Sequence, residues 1–329
     1  MSEYVFSTED KLSSKYATAI QPFWQNSVQH GILAAIEQTE QGKKLNIAYA
    51  YVLHPQALGS VVISSGRIES LIKYKELVYD LYENGYSVFI HDHRGQGLSG
   101  RMLDNPQIGY VENFSDYVSD FKTFMDKVVT QKSQHKPKLL CHSMGGAIGA
   151  LTILHYPEMF EKVAFSAPMF GIRPALPDWF AKLLLNLHVA FNKPAAYFFG
   201  QEDYDNQPFV ANELTHSEVR YQIFRQEYQL SPQLQLGGVS GQWLKMAALA
   251  MNYIEQNMHR FPIPALVIQA GSDKIVDNKR QSRVVAKMAL SKGSHSKLLI
   301  IEGSKHELLE EQDEFRVPCI TAILDFFKE

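Results

Sequence analysis

Cysteine is scarce in this sequence of 329 residues: Cys141 and Cys319 stand far apart, and neither belongs to a CxxC pair. That pattern supports neither a disulfide framework nor a zinc site, and it fits a reducing compartment. Long apolar runs are missing too. No uncharged apolar stretch reaches the roughly 18 residues that a membrane-crossing helix needs. Residues 1–25 carry Glu3, Glu9, Asp10, Lys11 and Lys15 without a continuous apolar core, which does not read as a signal peptide. The expectation is a cytoplasmic protein that meets any lipid from the water side, peripherally at the inner face of the cell membrane. Charge of one sign is also lacking, because 32 Lys and Arg stand against 35 Asp and Glu, for a formal charge of -3. Without a basic run, nucleic acid is not expected as a partner.

What is present is apolar material, 45% of the residues, enough to bury a substantial core. The length allows one large domain or two medium ones. Two β-prone runs, residues 31–38 and 45–53, flank the Gln41-Gly42-Lys43 turn and read as an antiparallel hairpin. From Ser60 onward, short apolar runs alternate with longer amphipathic ones, as βαβ units and a mostly parallel sheet require. Strands are expected at 60–64, 87–91, 138–141, 162–166, 265–270 and 297–301. Helices are expected at 70–84, 114–129, 144–155, 280–290 and 313–328. Between about Phe170 and Phe261 the alternation stops. Prolines and a Gly237-Gly238 pair punctuate helical stretches there without a convincing strand. The chain thus divides into a core segment 1–169, a helical insertion 170–261, and a second core segment 262–329. Trp179, Phe180, Leu183, Leu184, Leu187 and Phe191 follow helical spacing in the insertion. The simpler expectation is that this face packs internally, since apolar helix faces are usually core; the other is partial exposure toward lipid.

The loudest pattern match misleads. Gly95-Gln96-Gly97-Leu98-Ser99-Gly100 spells the dinucleotide fingerprint after a strand. That fingerprint works only where its glycines open a helix whose amides hold a pyrophosphate. Here Pro106 and Gly109 fall inside the would-be helix, and no acidic residue closes a following strand. A phosphate-binding loop fails as well, because Arg101-Met102 stands where Lys-Ser/Thr is required.

The quieter match carries more chemistry. Leu139-Leu140-Cys141-His142-Ser143-Met144-Gly145-Gly146 sets a serine between an apolar strand and a helix rich in small residues, the context of a nucleophile elbow. Cys141 occupies the position usually held by glycine. A serine hydroxyl needs a base, and the base needs a carboxylate to orient it. In this architecture the partners follow in the order Ser, Asp/Glu, His, in loops after later strands. Asp273 follows the strand at 265–270, and His306 follows the strand at 297–301. Asp277 lies farther from its strand end and reads as a helix cap. His142 is in the wrong chain position for the base and is expected to pack or line the site. His91, His93, His155, His216 and His295 read as surface or satisfied polar residues. Acyl transfer also needs two amide donors for the oxyanion. The Met144 amide is one candidate and the Arg67 amide the other, with Gly66 letting that loop turn inward.

The motifs 65–70, 92–101, 142–146 and 273–277, with Leu214-Thr215-His216-Ser217, Arg220-Tyr221, Leu236-Gly237-Gly238 and Trp243 in the insertion, make the chain similar to a known family. It resembles the bacterial PldB-type lysophospholipases, relatives of monoacylglycerol lipases among the serine α/β-hydrolases. The resemblance covers nearly everything after Gly31. It implies an α/β-hydrolase fold with an inserted helical cap, and hydrolysis of the fatty-acyl ester of a lysophospholipid. Ser143, Asp273 and His306 would form the triad, with no metal or organic cofactor. The insertion would cover the acyl chain through Trp179, Phe180 and Leu183, with Gly66 and His142 also on the substrate-binding surface. A monoacylglycerol lipase or general carboxylesterase would use the same residues. A non-catalytic lipid-binding protein on the same scaffold is the alternative of a different class.

Overall fold

Apolar runs bounded by turns form strands when both faces are covered, and eight such runs build one sheet in the computed structural model of this chain. The structure describes residues 4–35, 42, 44–173, 178–191 and 194–329. The strands are β1 (Gln29–Ala34), β2 (Asn46–Val52), β3 (Gly59–Ser64), β4 (Tyr86–His91), β5 (Lys138–His142), β6 (Val163–Ser166), β7 (Ala265–Ala270) and β8 (Lys297–Ile301). They lie in the order β1-β2-β4-β3-β5-β6-β7-β8. The β1–β2 and β2–β4 pairs are antiparallel, and every other pair is parallel. The expected hairpin is therefore present, although its 41–43 turn falls largely outside the described residues. The central strands β3, β4, β5 and β7 are buried along their whole length, as parallel strands covered on both faces must be. The edge strands β1 and β8 show most of their side chains to water, and β2 does so chiefly at its first residue, Asn46.

Helices cover both faces. They are α1 (Glu9–Lys15), α2 (Gln21–Asn26), α3 (Lys75–Glu83), α4 (Ser115–Phe124), α5 (Thr130–Lys132), α6 (Met144–His155), α7 (Asp178–Phe191), α8 (Glu218–Leu230), α9 (Gly241–Asn257), α10 (Asn278–Met288) and α11 (Asp313–Lys328). Helices α1 and α2 lie where no element is expected from the sequence, and α3 begins five residues later than expected, because a turn at Leu71–Tyr74 precedes it.

Helix α6 lies close to the sheet because its inner face is nearly bare. A Cβ on Gly145 would sit 2.1 Å from the Ser64 carbonyl oxygen, and one on Gly149 would sit 2.5 Å from the Cys141 sulfur. Cys141, fully buried in β5, thus fills space that Gly149 leaves open one helical turn into α6. This complementarity accounts for a cysteine where glycine was expected.

Among the described residues, the chain between β6 and β7 is helical and contributes no strand to the sheet. Helix α8 is anchored to the core by Arg220. Its Nε and Nη2 donate to the Glu76 carboxylate at 2.9–3.2 Å, its Nη2 also to Asp313 at 2.9 Å, and its Nη1 to the Glu311 carbonyl at 2.7 Å. Arg316 extends the same buried network to Asp80 at 2.8 Å. The face of α7 is not internal, contrary to the simpler expectation. Leu183, Leu187 and Phe191, spaced at i, i+4 and i+8, are 45%, 43% and 83% exposed. The Trp179 and Phe180 side chains lie outside the described residues.

The fit of α6 on β5 has a measurable consequence. Gly149→Ala should destabilise the protein by about 1–3 kcal/mol through overpacking against Cys141. In the Cys141→Gly background the same change should cost at least about 1 kcal/mol less, a coupling read from denaturant unfolding of the four proteins in the cycle. Additive effects would show that the two residues do not compete for this space.

Candidate active site

In parallel sheets the loops after the strands gather at one edge, and three of those loops carry the residues singled out in the sequence. Ser143 joins β5 to α6, with Asp273 just beyond β7 and His306 just beyond β8. The backbone at Ser143 has φ 49° and ψ -117°, a region that a side chain normally avoids. Tertiary hydrogen bonds hold it there. Its amide donates to the Ser166 carbonyl at 3.2 Å, and its carbonyl accepts from the Gly146 and Met169 amides at 2.8 Å each.

This turn brings Ser143 Oγ to 2.9 Å from His306 Nε2, while His306 Nδ1 lies 2.7 Å from Asp273 Oδ2. The other carboxylate oxygen, Asp273 Oδ1, accepts from the Ile275 and Val276 amides at 2.7 and 3.0 Å. Burial disfavours the Asp273 anion, but the bond and charge of His306 and those two amides outweigh it, so its pKa is lowered. An ionised Asp273 accepting at Nδ1 leaves Nε2 facing the serine, the tautomer that a general base requires. Asp277 instead caps α10, accepting from the Arg280 amide at 3.2 Å.

A second buried group supports the loop after β3. Glu69 accepts from the Gly66 amide and, at 2.6 Å, from the Tyr74 hydroxyl. Lys73 bridges Glu69 and Glu307 at 2.7 Å to each, and Glu307 directly follows His306. Burial opposes ionisation of Glu69, yet Lys73 holds its pKa below the usual carboxylate range. The side-chain amide of Gln96 donates to the Gly66 and Glu69 carbonyls at 2.8 and 2.9 Å. The glycine-rich stretch is thus a turn that braces this loop. Gly95 and Gly97 have positive φ of 81° and 55°, and no helix opens from them.

Gly66, Arg67, His142, Ser143 and His306 line one cavity of about 460 Å³. His142 packs 5.0 Å from the His306 ring, and its Nδ1 lies 3.2 Å from the Ser166 carbonyl. Burial depresses its pKa to about 4, which makes it a weak proton acceptor, and it is His306 that bonds the Ser143 hydroxyl. Leu183 is not among the lining residues, which corrects its expected role: its helix turns that side chain toward solvent. His91 is also corrected. It is fully buried against Phe121 and Phe124, and neither ring nitrogen has a partner among the described residues. Burial accordingly keeps it neutral, with a pKa well below the usual histidine value.

Several site residues escaped sequence reasoning. Lys73, Glu307, Phe224 and Arg225 line the cavity, and Gln96 supports it. Only Glu307 had a local signal, its place beside His306. Among the described residues, no group of three or more His, Cys, Asp or Glu side chains has the geometry of a metal site.

Comparison with known proteins identifies the family. Residues 55–313 match the family model described as serine aminopeptidase, S33. The chain is 38% identical over 273 residues to lysophospholipase L2 of Escherichia coli strain K12, covering 81% of this chain and 79% of that one. It is 26% identical to human monoglyceride lipase over 79% of this chain and 78% of the relative. The solved carboxyl esterase of Bacillus coagulans superposes with a TM-score of 0.69 at 17% identity, over 91% of this chain and 98% of that one, a likeness of fold. The family model spanning most of the chain, with the 38% identity to lysophospholipase L2 over four fifths of it, places the chain in the serine aminopeptidase S33 family of α/β-hydrolases.

Proposed function

We propose that this protein is a lysophospholipase that cleaves the single fatty-acyl ester of its substrate through an acyl-enzyme. The observation that carries the reading is the hydrogen-bonded series from Ser143 through His306 to Asp273, opening on a cavity. His306 Nε2 takes the Ser143 proton as Oγ attacks the acyl carbonyl carbon. Asp273 stabilises the imidazolium that results. The Met144 and Arg67 amides receive the oxyanion, and the Glu69 contact with the neighbouring Gly66 amide braces the loop that carries Arg67. His306 then protonates the glycerol-side oxygen as the ester bond breaks. Water, deprotonated by the same imidazole, attacks the acyl-enzyme and releases the fatty acid, restoring the Ser143 hydroxyl.

The 38% identity to lysophospholipase L2 favours the phospholipid substrate. Monoacylglycerol hydrolysis is the second reading, favoured by the monoglyceride lipase relatives. The cap is the segment 170–261. Among the described residues no helix is long and apolar enough to cross a membrane. Contact with lipid would instead run through the exposed Leu183, Leu187 and Phe191 face of α7, peripherally.

Ser143→Ala should keep the circular dichroism spectrum and melting temperature while lowering kcat on lysophosphatidylcholine by about 10⁴-fold or more. Asp273→Asn should lower it by about 10³–10⁴-fold. Fluorophosphonate labelling of the wild type must be lost in Ser143→Ala. Folded wild-type protein that fails to label would favour the binding-protein reading, and faster turnover of monoacylglycerol than of any lysophospholipid would favour the lipase. Separately, Leu187→Asp should weaken binding to phosphatidylethanolamine/phosphatidylglycerol vesicles about three- to tenfold in flotation assays. Unchanged flotation would remove α7 from the membrane contact.

A further inference from the structure

Arginine is rarely left without an anion in a partly buried site, because its charge cannot be shed near neutral pH. Two arginines facing the cavity above Ser143 have no carboxylate within ion-pair distance among the described residues. Arg67 sits 5.7 Å from the centroid of the Trp243 ring and uses Nη1 to donate to the Gly237 carbonyl at 3.0 Å. Its desolvation lowers its pKa to about 10, offset only in part by distant tyrosines. Arg225 lies 5.4, 4.8 and 5.2 Å from the ring centroids of Tyr204, Tyr221 and Phe224. Its Nη1 donates to the Tyr204 hydroxyl at 2.8 Å, and its shielded Nε has no partner. Aromatic packing of this kind fixes the plane of a guanidinium and prepares it for an oxyanion.

The third cation of the cavity, Lys73, is already neutralised by Glu69 and Glu307. The free positive charge is therefore at the two arginines. The same cavity carries the exposed acids Glu202, Asp203 and Asp205 at its rim. An anion alone would satisfy the arginines but be repelled by that rim. A phosphodiester followed by an ammonium group satisfies both.

We propose that Arg67 and Arg225 form the headgroup subsite of this enzyme, reading the phosphodiester of a zwitterionic lysophospholipid while the 202–205 rim receives its ammonium. The proposal rests on the lysophospholipase reading, and it assigns to particular side chains the choice between phospholipid and neutral glyceride. A monoacylglycerol presents nothing to these guanidiniums. Both substrates share the triad and the oxyanion amides, so the ratio of their kcat/KM values isolates the headgroup term.

The test compares lysophosphatidylcholine with a monoacylglycerol of the same acyl chain. In Arg225→Met the ratio of kcat/KM values should fall about 10- to 100-fold, the loss expected for one charge-assisted contact. Arg225→Lys should retain part of it, and Arg67→Gln should lower it independently. A ratio within twofold of wild type in both Arg225→Met and Arg67→Gln would overturn the subsite. A probe on the wild-type enzyme needs no variant: glycerophosphocholine should inhibit monoacylglycerol turnover competitively, at least about tenfold more strongly than glycerol or inorganic phosphate. Equal inhibition by inorganic phosphate would mean a general anion site, and equal inhibition by glycerol would mean no headgroup site; either overturns the proposal. Wild type that cleaves no lysophospholipid would instead overturn the underlying lysophospholipase reading, an outcome seen before any variant is made.

Discussion

The backbone turn at Ser143 is the constraint around which the rest of the molecule is arranged. A serine with φ of 49° pays a conformational cost that only surrounding structure can offset. Here the offset comes from β6, which accepts its amide, from Met169 beyond β6, which donates to its carbonyl, and from α6, which starts immediately after it. For α6 to start there it must lie against β3, which explains the bare glycine at position 145 facing the Ser64 carbonyl. The small inner surface of α6 and the cysteine opposite Gly149 both follow from that one close approach.

Buried charge forms the second layer of organisation. Unpaired charges are costly in an interior, and paired ones are retained where they hold a geometry. Glu69, Lys73 and Glu307 connect the loop after β3 to the loop carrying His306, so the two sides of the reaction centre are fixed to each other through one lysine. Arg220 and Arg316 do the same on a larger scale, joining α8 to α3, α11 and the N-terminal segment. The helices between β6 and β7 therefore rest on charge pairs as well as on apolar contact. Of these clusters, the one built on Glu69, Lys73 and Glu307 also lines the cavity and contributes to its polarity.

Much of the fold was legible in the sequence because parallel strands and their helices leave strong periodic signals. The strands from β3 onward were located to within a residue or two, and the positions of Asp273 and His306 followed from counting loops. Where reading failed, the reason was that the deciding contact lay far along the chain. Helices α1 and α2 have short, mixed faces that gain meaning only against α3 and α8. The apolar spacing of α7 is the same whether the helix faces a core or water. His91 looked like an ordinary polar residue, and only its position in the central strand β4 seals it from solvent. Lys73 and Arg225 are common surface residue types, and although Glu69, Tyr221 and Phe224 lie within a helical turn of them in the sequence, the second acid, Glu307, and the third ring, Tyr204, reach them only through the fold.

The division between the two sources of information has a physical basis. By itself the sequence determined the class of fold, the elbow serine and the chain order of its partners, because these depend on periodicity and on turns only a few residues long. Tertiary structure alone decided that Cys141 is accommodated by Gly149, that the glycine-rich loop braces the loop after β3 through Gln96, and that Leu183 faces solvent. It also decided which cations at the site lack an acid. Those facts are contacts between different elements of the fold, and close packing, burial and charge pairing come into being only when such residues meet.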